Sequence, residues 1–141
     1  MSRKFSTEIQ EKVRQRADYL CEYCHTNERW QYVRFTIDHI LPNDDDSLEN
    51  LALACFHCNR RKSNKTNALD VESNETISIF NPRLQIWKEH FEWSEDKIYV
   101  QPKTKVGKVT IELLQLNRTR ILLIREADVA VNRHPPEKDL V

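Results

Sequence analysis

The chain of 141 residues contains a single glycine, no excess of either charge and no long apolar segment. No stretch approaches the ~18 consecutive apolar residues of a membrane span, and Met1-Ser2-Arg3-Lys4 leads directly into a polar segment rather than a signal-peptide pattern. The four cysteines all fall in CxxC pairs, so no cysteine is left over. These absences argue against a membrane protein and a disulfide framework, and they favour metal binding in a reducing compartment. We expect a cytoplasmic protein built as one domain.

The formal net charge of zero argues at first against a nucleic-acid partner, but the charge is unevenly distributed. Residues 101–125 carry six basic residues and one acidic residue, and residues 57–67 carry four basic residues and no acidic one. Because salt screens each charge beyond ~8–10 Å, a local basic patch can bind phosphate in a neutral protein. A solvated helix face would explain either patch alone equally well. The residues that we expect to contact nucleic acid are Arg60, Arg61, Lys62 and Lys65.

The two cysteine pairs, Cys21-x-x-Cys24 and Cys55-x-x-Cys58, are separated by thirty residues. Four thiolates in two such pairs are typical of a closed structural zinc site. A plain zinc ribbon needs only short hairpins between its pairs, so the longer insert predicts that a strand and a loop are displayed between them. A thiol–disulfide oxidoreductase is disfavoured, because no thioredoxin-like βαβ pattern surrounds the pairs.

Local patterns place the cysteines at the ends of predicted elements. Apolar residues at helical spacing predict a helix over residues 7–20 that leads directly to Cys21. A strand is predicted over residues 31–37 and a short helix over residues 59–66. The acidic run 44–46 is interpreted as a turn-forming loop, with a second cation site as the alternative. Further along, we predict a helix starting at Asn81-Pro82, a hairpin over 92–101, a helix after Gly107 and a last helix capped by Asn117.

Asp38-His39 and Asn50 lie between the cysteine pairs, and Asn59 and Lys62 follow the second pair. Together with the cysteines, this combination resembles the HNH endonuclease family, whose fold is a ββα-metal (His-Me finger) unit. The resemblance is clearest over residues 18–66, and a weaker similarity to small stand-alone HNH proteins continues through residues 80–93.

This resemblance implies an α+β fold. The ββα-metal unit would be framed by the four-cysteine zinc site, with an N-terminal helix and a C-terminal α+β extension. We expect residues 1–67 to form the zinc-stapled nuclease core. Residues 68–141 would form an accessory layer packed on that core, with a flexible tail from about residue 132.

The resemblance also implies roles for individual residues. His39 would be the general base that deprotonates the attacking water, since histidine ordinarily titrates near neutral pH. Asp38 and Asn59 would ligate one divalent cation. Asn50 would span the loop and help to orient the histidine, and Lys62 would reach a flanking phosphate. Because Asn59 stands where many relatives have histidine, the site is rich in oxygen and favours Mg²⁺ or Mn²⁺.

The implied function is metal-dependent endonuclease cleavage of DNA phosphodiester bonds, leaving 5′-phosphate and 3′-hydroxyl ends. The implied cofactors are structural Zn²⁺ and catalytic Mg²⁺ or Mn²⁺. One active site cuts one strand, so a double-strand break needs a dimer or two encounters, and a homodimer or a partner protein can supply specificity. The alternative is a non-catalytic zinc module that binds nucleic acid or a protein. The sequence does not indicate which DNA is cut.

Overall fold

Residues 5–137 are described by the structure, a computed structural model, and they form a mixed α+β fold, as predicted. The helices are α1 (Thr7–Arg16), α2 (Phe56–Lys62), α3 (Trp87–His90), α4 (Lys105–Leu114) and α5 (Thr119–Ala130). The strands are β1 (Thr36–His39), β2 (Leu51–Ala54), β3 (Asn67–Asp70), β4 (Glu75–Ser78), β5 (Phe91–Trp93) and β6 (Val100–Pro102). Consecutive strands pair as three antiparallel hairpins. The first hairpin packs against α2, and the other two pack against α4.

A hairpin followed directly by a helix forms a ββα unit between residues 36 and 62. β1 pairs with β2 in antiparallel register, so that His39 at the end of β1 lies opposite Leu51. All four residues of β2 are fully buried, which anchors the hairpin in the core. Cys55 then caps α2, because its thiol accepts a hydrogen bond from the backbone N–H of Cys58. The end of β1 and one face of α2 are therefore held side by side.

β1 is shorter than the strand predicted over residues 31–37. The segment before it begins with a short 3₁₀ turn at Glu28–Trp30. The Glu28 carboxylate then accepts a hydrogen bond from the backbone N–H of Phe35 at 2.7 Å, and it also binds the Arg14 side chain. Because this buried carboxylate takes the Phe35 N–H group, regular strand pairing starts only at Thr36.

The two helices beside this unit also differ from their predicted bounds. α1 is capped by Ser6, whose side chain accepts from the backbone N–H of Ile9, and it ends at Arg16 instead of residue 20. The reason is that Asp18 and Tyr19 both adopt positive φ angles, which an α-helix cannot accommodate.

α2 begins at Phe56 and ends at Lys62, whereas the prediction was a helix over residues 59–66. The next residue, Ser63, has a φ angle of 51°, which ends the helix. Asn59 consequently lies in the middle of α2, and Lys62 forms its last residue.

Within residues 5–137, one hydrophobic core contains residues from both halves of the chain. Val13 of α1 and the four cysteines pack together with Trp87, Phe91 and Leu114. Trp87 is 2% exposed, and its indole N–H donates to the backbone carbonyl of Tyr23. The buried His25 ring stacks on the same indole at 4.0 Å between ring centroids. The domain boundary near residue 67 stays a prediction.

The C-terminal layer contains the predicted hairpin, formed by β5 and β6, and also the hairpin of β3 and β4, which was not predicted. Gly107 lies inside the first turn of α4 rather than before it. A Cβ atom at Gly107 would lie 2.0 Å from the His90 carbonyl oxygen, so no larger residue fits there without movement.

Two helix starts predicted in this layer are wrong. The Asn81 side chain accepts from the backbone N–H groups of Arg83 and Leu84, but this segment forms turns, and α3 begins only at Trp87. Asn117 does not cap α5, because its side-chain amide bonds to both the N–H and the carbonyl group of Val100.

The described part of the tail includes His134, whose ring lies 4.4 Å from that of Trp93 and whose Nε2 lies 2.9 Å from the Lys97 carbonyl oxygen. The flexibility predicted from about residue 132 stays a prediction, and residues 138–141 lie outside the described residues. Among residues 5–137, no helix is long and apolar enough to cross a membrane.

Candidate metal centre and active site

The four cysteines form one buried cluster. Their sulfur atoms all lie within 4.8 Å of one another, and the Sγ atoms of Cys24 and Cys55 are 3.8 Å apart. A tetrahedral zinc ion with Zn–S bonds of ~2.3 Å would space its ligands ~3.8 Å apart, so the cluster fits zinc. Cys21 and Cys24 lie on the turn after α1, and Cys55 and Cys58 lie at the start of α2. The predicted grouping of the four cysteines is confirmed.

The buried thiols of the cluster also shift one another's pKa values. Burial raises the pKa of Cys21 well above that of an ordinary thiol. Hydrogen bonds with Cys21 and Cys55 lower the pKa of Cys24 well below it. Buried thiolates repel one another and are costly to desolvate, whereas a zinc ion would compensate their charge.

A second polar site lies in an open cleft of about 660 Å³ between the end of β1 and α2. The cleft brings together three of the predicted site residues, Asp38, His39 and Asn59. It is also lined by Phe5 and Gln10 from the N-terminal region and by Arg60, Ser63 and Asn64 from α2 and the residues after it. Two adjacent residues of β1 and the middle of α2 therefore contribute polar groups to one concave surface.

Asp38 lies at the base of the cleft and is only 4% exposed. Its Oδ2 accepts a hydrogen bond from the Tyr23 hydroxyl at 2.9 Å and lies 3.2 Å from the Lys62 Nζ. Burial raises the pKa of Asp38, and the nearby Lys62 ammonium opposes that increase. Among residues 5–137, the hydrogen-bond contact of Oδ1 is a long one of 3.5 Å to Lys62, which leaves acceptor capacity for a ligand.

The position of Lys62 corrects the prediction that this residue reaches a flanking phosphate. Its side chain is 1% exposed, and Nζ donates to the His39 carbonyl oxygen at 2.9 Å in addition to its ion pair with Asp38. Because a buried charge needs a partner, the ammonium group is directed inward to the carboxylate. Lys62 thus supports the base of the cleft and does not lie on the surface.

His39 is partly exposed at the edge of the cleft. Its Nε2 lies 2.6 Å from the Oδ1 atom of Asp46, in the loop between β1 and β2, and the ring lies 5.6 Å from that of Phe5. The sequence pattern did not indicate that Asp46 belongs to the site. The acidic residues 44–46 could have pointed to this contact. They were interpreted instead as a turn-forming loop, which requires no contact with the histidine.

Asn50 lies in the same loop region and is 5% exposed. Its side-chain amide bonds to both backbone groups of Leu41, to the Asn43 side chain and to the Asp45 carbonyl oxygen. The backbone carbonyl oxygen of Asn50 accepts a hydrogen bond from the backbone N–H of Ile40, the residue that follows His39. Asn50 therefore spans the loop, but it holds the backbone next to His39 and does not line the cleft.

The remaining basic residues predicted to contact nucleic acid lie on the surface. Arg60, Arg61 and Lys65 are all exposed, and Arg60 lines the cleft. The Arg61 Nε atom donates a long hydrogen bond of 3.4 Å to the carbonyl oxygen of Leu113 in α4. One of its donor groups therefore already has a partner within the protein.

Comparison with known proteins identifies the family that this part of the chain resembles. The family model described as HNH endonuclease matches residues 21–65, a range that begins at the first cysteine and includes the ββα unit. This segment is an HNH domain. The resemblance inferred from the motif is thereby confirmed for the part of the chain that carries the cysteines and the cleft.

One curated relative extends the similarity beyond the HNH domain. The Septu protein PtuA from Bacillus mycoides (strain KBAB4) is 26% identical over an alignment of 136 residues, and the match covers 74% of this chain. The chain spans only 18% of that relative's length. No solved structure matches the chain significantly.

The HNH domain also has a donor set suited to a hard divalent cation. Asp38 supplies a carboxylate and Asn59 an amide oxygen, and both residues line the cleft. Oxygen ligands of this kind suit Mg²⁺ and Mn²⁺ better than Zn²⁺, whereas the buried thiolates elsewhere in the domain suit Zn²⁺. The two sets of donors are chemically distinct.

Proposed function

We propose that this protein is a metal-dependent DNA endonuclease of the HNH class. The single observation that carries the proposal is the cleft of the HNH domain, which gathers Asp38, His39 and Asn59 on one concave surface. A histidine beside two oxygen donors is suited to hydrolysis of a phosphodiester bond, since the reaction needs a base for water and positive charge at the phosphate.

In this proposal, His39 accepts a proton from the attacking water. Asp38 and Asn59 would hold one Mg²⁺ or Mn²⁺ ion, which when bound neutralises the scissile phosphate and the departing 3′ oxygen. Tyr23 and Lys62 hold the Asp38 carboxylate in place from the buried side. Asn50 orients His39 indirectly, through the loop backbone. The products would carry 5′-phosphate and 3′-hydroxyl ends.

DNA would be held mainly through its phosphates. Arg60 lies at the cleft, and Arg61 and Lys65 lie on the adjoining surface, where they can contact phosphates that flank the cut. Such contacts predict binding that weakens steeply as salt increases. One cleft would cut one strand, so cleavage of both strands requires a second copy of the chain or a second encounter, and a homodimer or a partner protein can supply specificity.

The four cysteines have a separate, structural role in this proposal. They would bind Zn²⁺ and join the turn after α1 to the start of α2. Clustered thiols without a disulfide suit a reducing compartment, so we propose that the protein acts in the cytoplasm.

A plasmid-nicking assay tests the proposal directly. Supercoiled DNA is incubated with the zinc-loaded protein in the presence of Mg²⁺, Mn²⁺ or EDTA, and nicked and linear products are quantified. We expect cleavage with either ion and none with EDTA. His39→Ala should lower the rate by at least ~10²-fold while zinc content and DNA binding stay near those of the wild type.

The alternative function, a non-catalytic zinc module, predicts a different result. The wild-type protein would then bind DNA or a protein without cutting DNA under any of these conditions. Cleavage at an equal rate by wild type and His39→Ala would also contradict the proposal, since it would indicate a contaminating nuclease.

A further inference from the structure

The contact between His39 and Asp46 connects the proposed base to a loop carboxylate. The Nε2–Oδ1 distance of 2.6 Å is that of a short, charge-assisted hydrogen bond. The two side chains are 21% and 38% exposed, so the pair lies at the edge of the cleft and is not sealed from water. Asp46 is placed there by the loop that the Asn50 amide holds through its bond to the Asp45 carbonyl oxygen.

The chemistry of the two groups determines which ring nitrogen carries hydrogen. An ionised carboxylate can only accept hydrogen bonds, so Nε2 must carry the hydrogen that it donates to Asp46. In a neutral imidazole the other nitrogen, Nδ1, then has the free lone pair. A general base needs that lone pair to face the water from which it removes a proton.

We propose that Asp46 is a positioning residue for His39. It holds the imidazole in the tautomer with hydrogen on Nε2, and it fixes the orientation of the ring so that Nδ1 is the basic atom. This inference rests on the proposed function, because it concerns the base of the same cleft. Asp46 itself takes no proton and contacts no substrate in this role.

The neighbouring Asp45 provides a matched control. Its Oδ1 accepts a hydrogen bond from the backbone N–H of Ser47, which stabilises the turn. Asp45→Asn keeps an acceptor oxygen for this bond and removes one negative charge from the same loop. Asp46→Ala removes the same charge together with the contact to His39. A difference between these two variants therefore measures the contact and not the charge of the loop.

The kinetic test uses the plasmid-nicking reaction. We expect Asp46→Ala to lower kcat by ~10–10²-fold with KM within about twofold of the wild type, as for loss of a residue that orients a functional histidine. Asp45→Asn should retain nearly the full kcat. Combining Asp46→Ala with His39→Ala should cause no further loss beyond His39→Ala alone, because the two residues act as one unit. If Asp46→Ala lowered kcat by the same factor in the wild-type and the His39→Ala proteins, the inference would be overturned.

A spectroscopic test is independent of cleavage. The ¹⁵N chemical shifts of the His39 ring, recorded on zinc-loaded protein at a pH where the imidazole is neutral, distinguish the two tautomers. We expect hydrogen on Nε2 in the wild type and in Asp45→Asn, and a mixture of tautomers in Asp46→Ala. An unchanged tautomer in Asp46→Ala would refute the positioning role even if the protein cuts DNA. If the wild type does not cut DNA but the tautomer shifts as expected, the positioning stands and the proposed function fails.

Discussion

Replacing Lys62 with methionine should strongly destabilise the protein. Lys62 and Asp38 form an ion pair at 3.2 Å in which the side chains are 1% and 4% exposed. Methionine has a similar length and retains the apolar part of the side chain, but it removes the ammonium group. In the part of the chain that the structure describes, the Asp38 carboxylate would then be buried with the Tyr23 hydroxyl as its one close donor.

The size of the effect follows from the burial of the pair. Removing one partner of a buried ion pair leaves an uncompensated charge and typically costs about 3–5 kcal/mol. With a urea m value of ~2 kcal/mol/M for a small domain, this loss corresponds to a decrease of roughly 2 M in the unfolding midpoint. Removing both charges, in Lys62→Met combined with Asp38→Asn, should recover part of the loss because no unpaired charge remains.

Urea unfolding followed by circular dichroism at a fixed zinc concentration measures this effect. The matched control is Lys65→Met, which makes the same chemical change three residues later at an exposed position and should alter stability by less than ~0.5 kcal/mol. If Lys62→Met were as stable as Lys65→Met, the buried ion pair would be wrong, and an exposed lysine that contacts phosphate would again be the better description.

Four further predictions concern the two metal sites, the loop and the DNA surface. Cys55→Ser should release zinc and unfold the protein, because a structural zinc site supplies ~10 kcal/mol or more of folding free energy; metal analysis and circular dichroism measure both. Asn59→Ala should abolish Mg²⁺-dependent nicking at unchanged zinc content and urea midpoint. Asn50→Ala should cost ~1–3 kcal/mol in urea unfolding, because it leaves buried backbone groups of the loop unpaired, and it should also lower kcat. In DNA binding measured with the His39→Ala protein, Arg60→Ala should lower the salt slope by about one unit, whereas Lys62→Met should leave it unchanged.

The sequence predicted those parts of the protein that depend on the type and spacing of residues. The two CxxC pairs predicted the cluster of four cysteines, and the resemblance to the HNH family pointed to Asp38, His39 and Asn59. The structure brings these three residues into one cleft. These features are local in sequence or carry a specific chemistry, so they can be identified without knowing how the rest of the chain packs.

The direction of Lys62 could not be predicted in the same way. The residues around it are basic and polar, so no apolar stripe indicates which face of α2 is buried. The helix also begins three residues earlier than predicted, because Cys55 serves as its N-cap. The Asp38 carboxylate and the His39 carbonyl oxygen, both on β1, explain why this particular lysine is directed inward.

Contacts between distant or irregular segments were missed for a related reason. Asp46 reaches His39 from a loop with no periodic pattern, and His25 is buried because Trp87, far along the chain, stacks on it. The end of α1 depends on positive φ angles at Asp18 and Tyr19, which neither residue type requires. In each case the tertiary structure determines the outcome, and local propensity is a weak guide.

The closeness of the cysteine cluster to the cleft has a consequence for experiments with chelators. Tyr23, which lies between Cys21 and Cys24, donates to Asp38, and Asn59 directly follows Cys58. If the cluster binds zinc as proposed, its loss would therefore disturb both proposed oxygen donors of the cleft as well as the fold. We expect a chelator to abolish nicking activity in two stages. The first loss of activity is fast, and added Mg²⁺ alone reverses it. The second loss is slow, and it is reversed only when zinc is restored and the protein refolds.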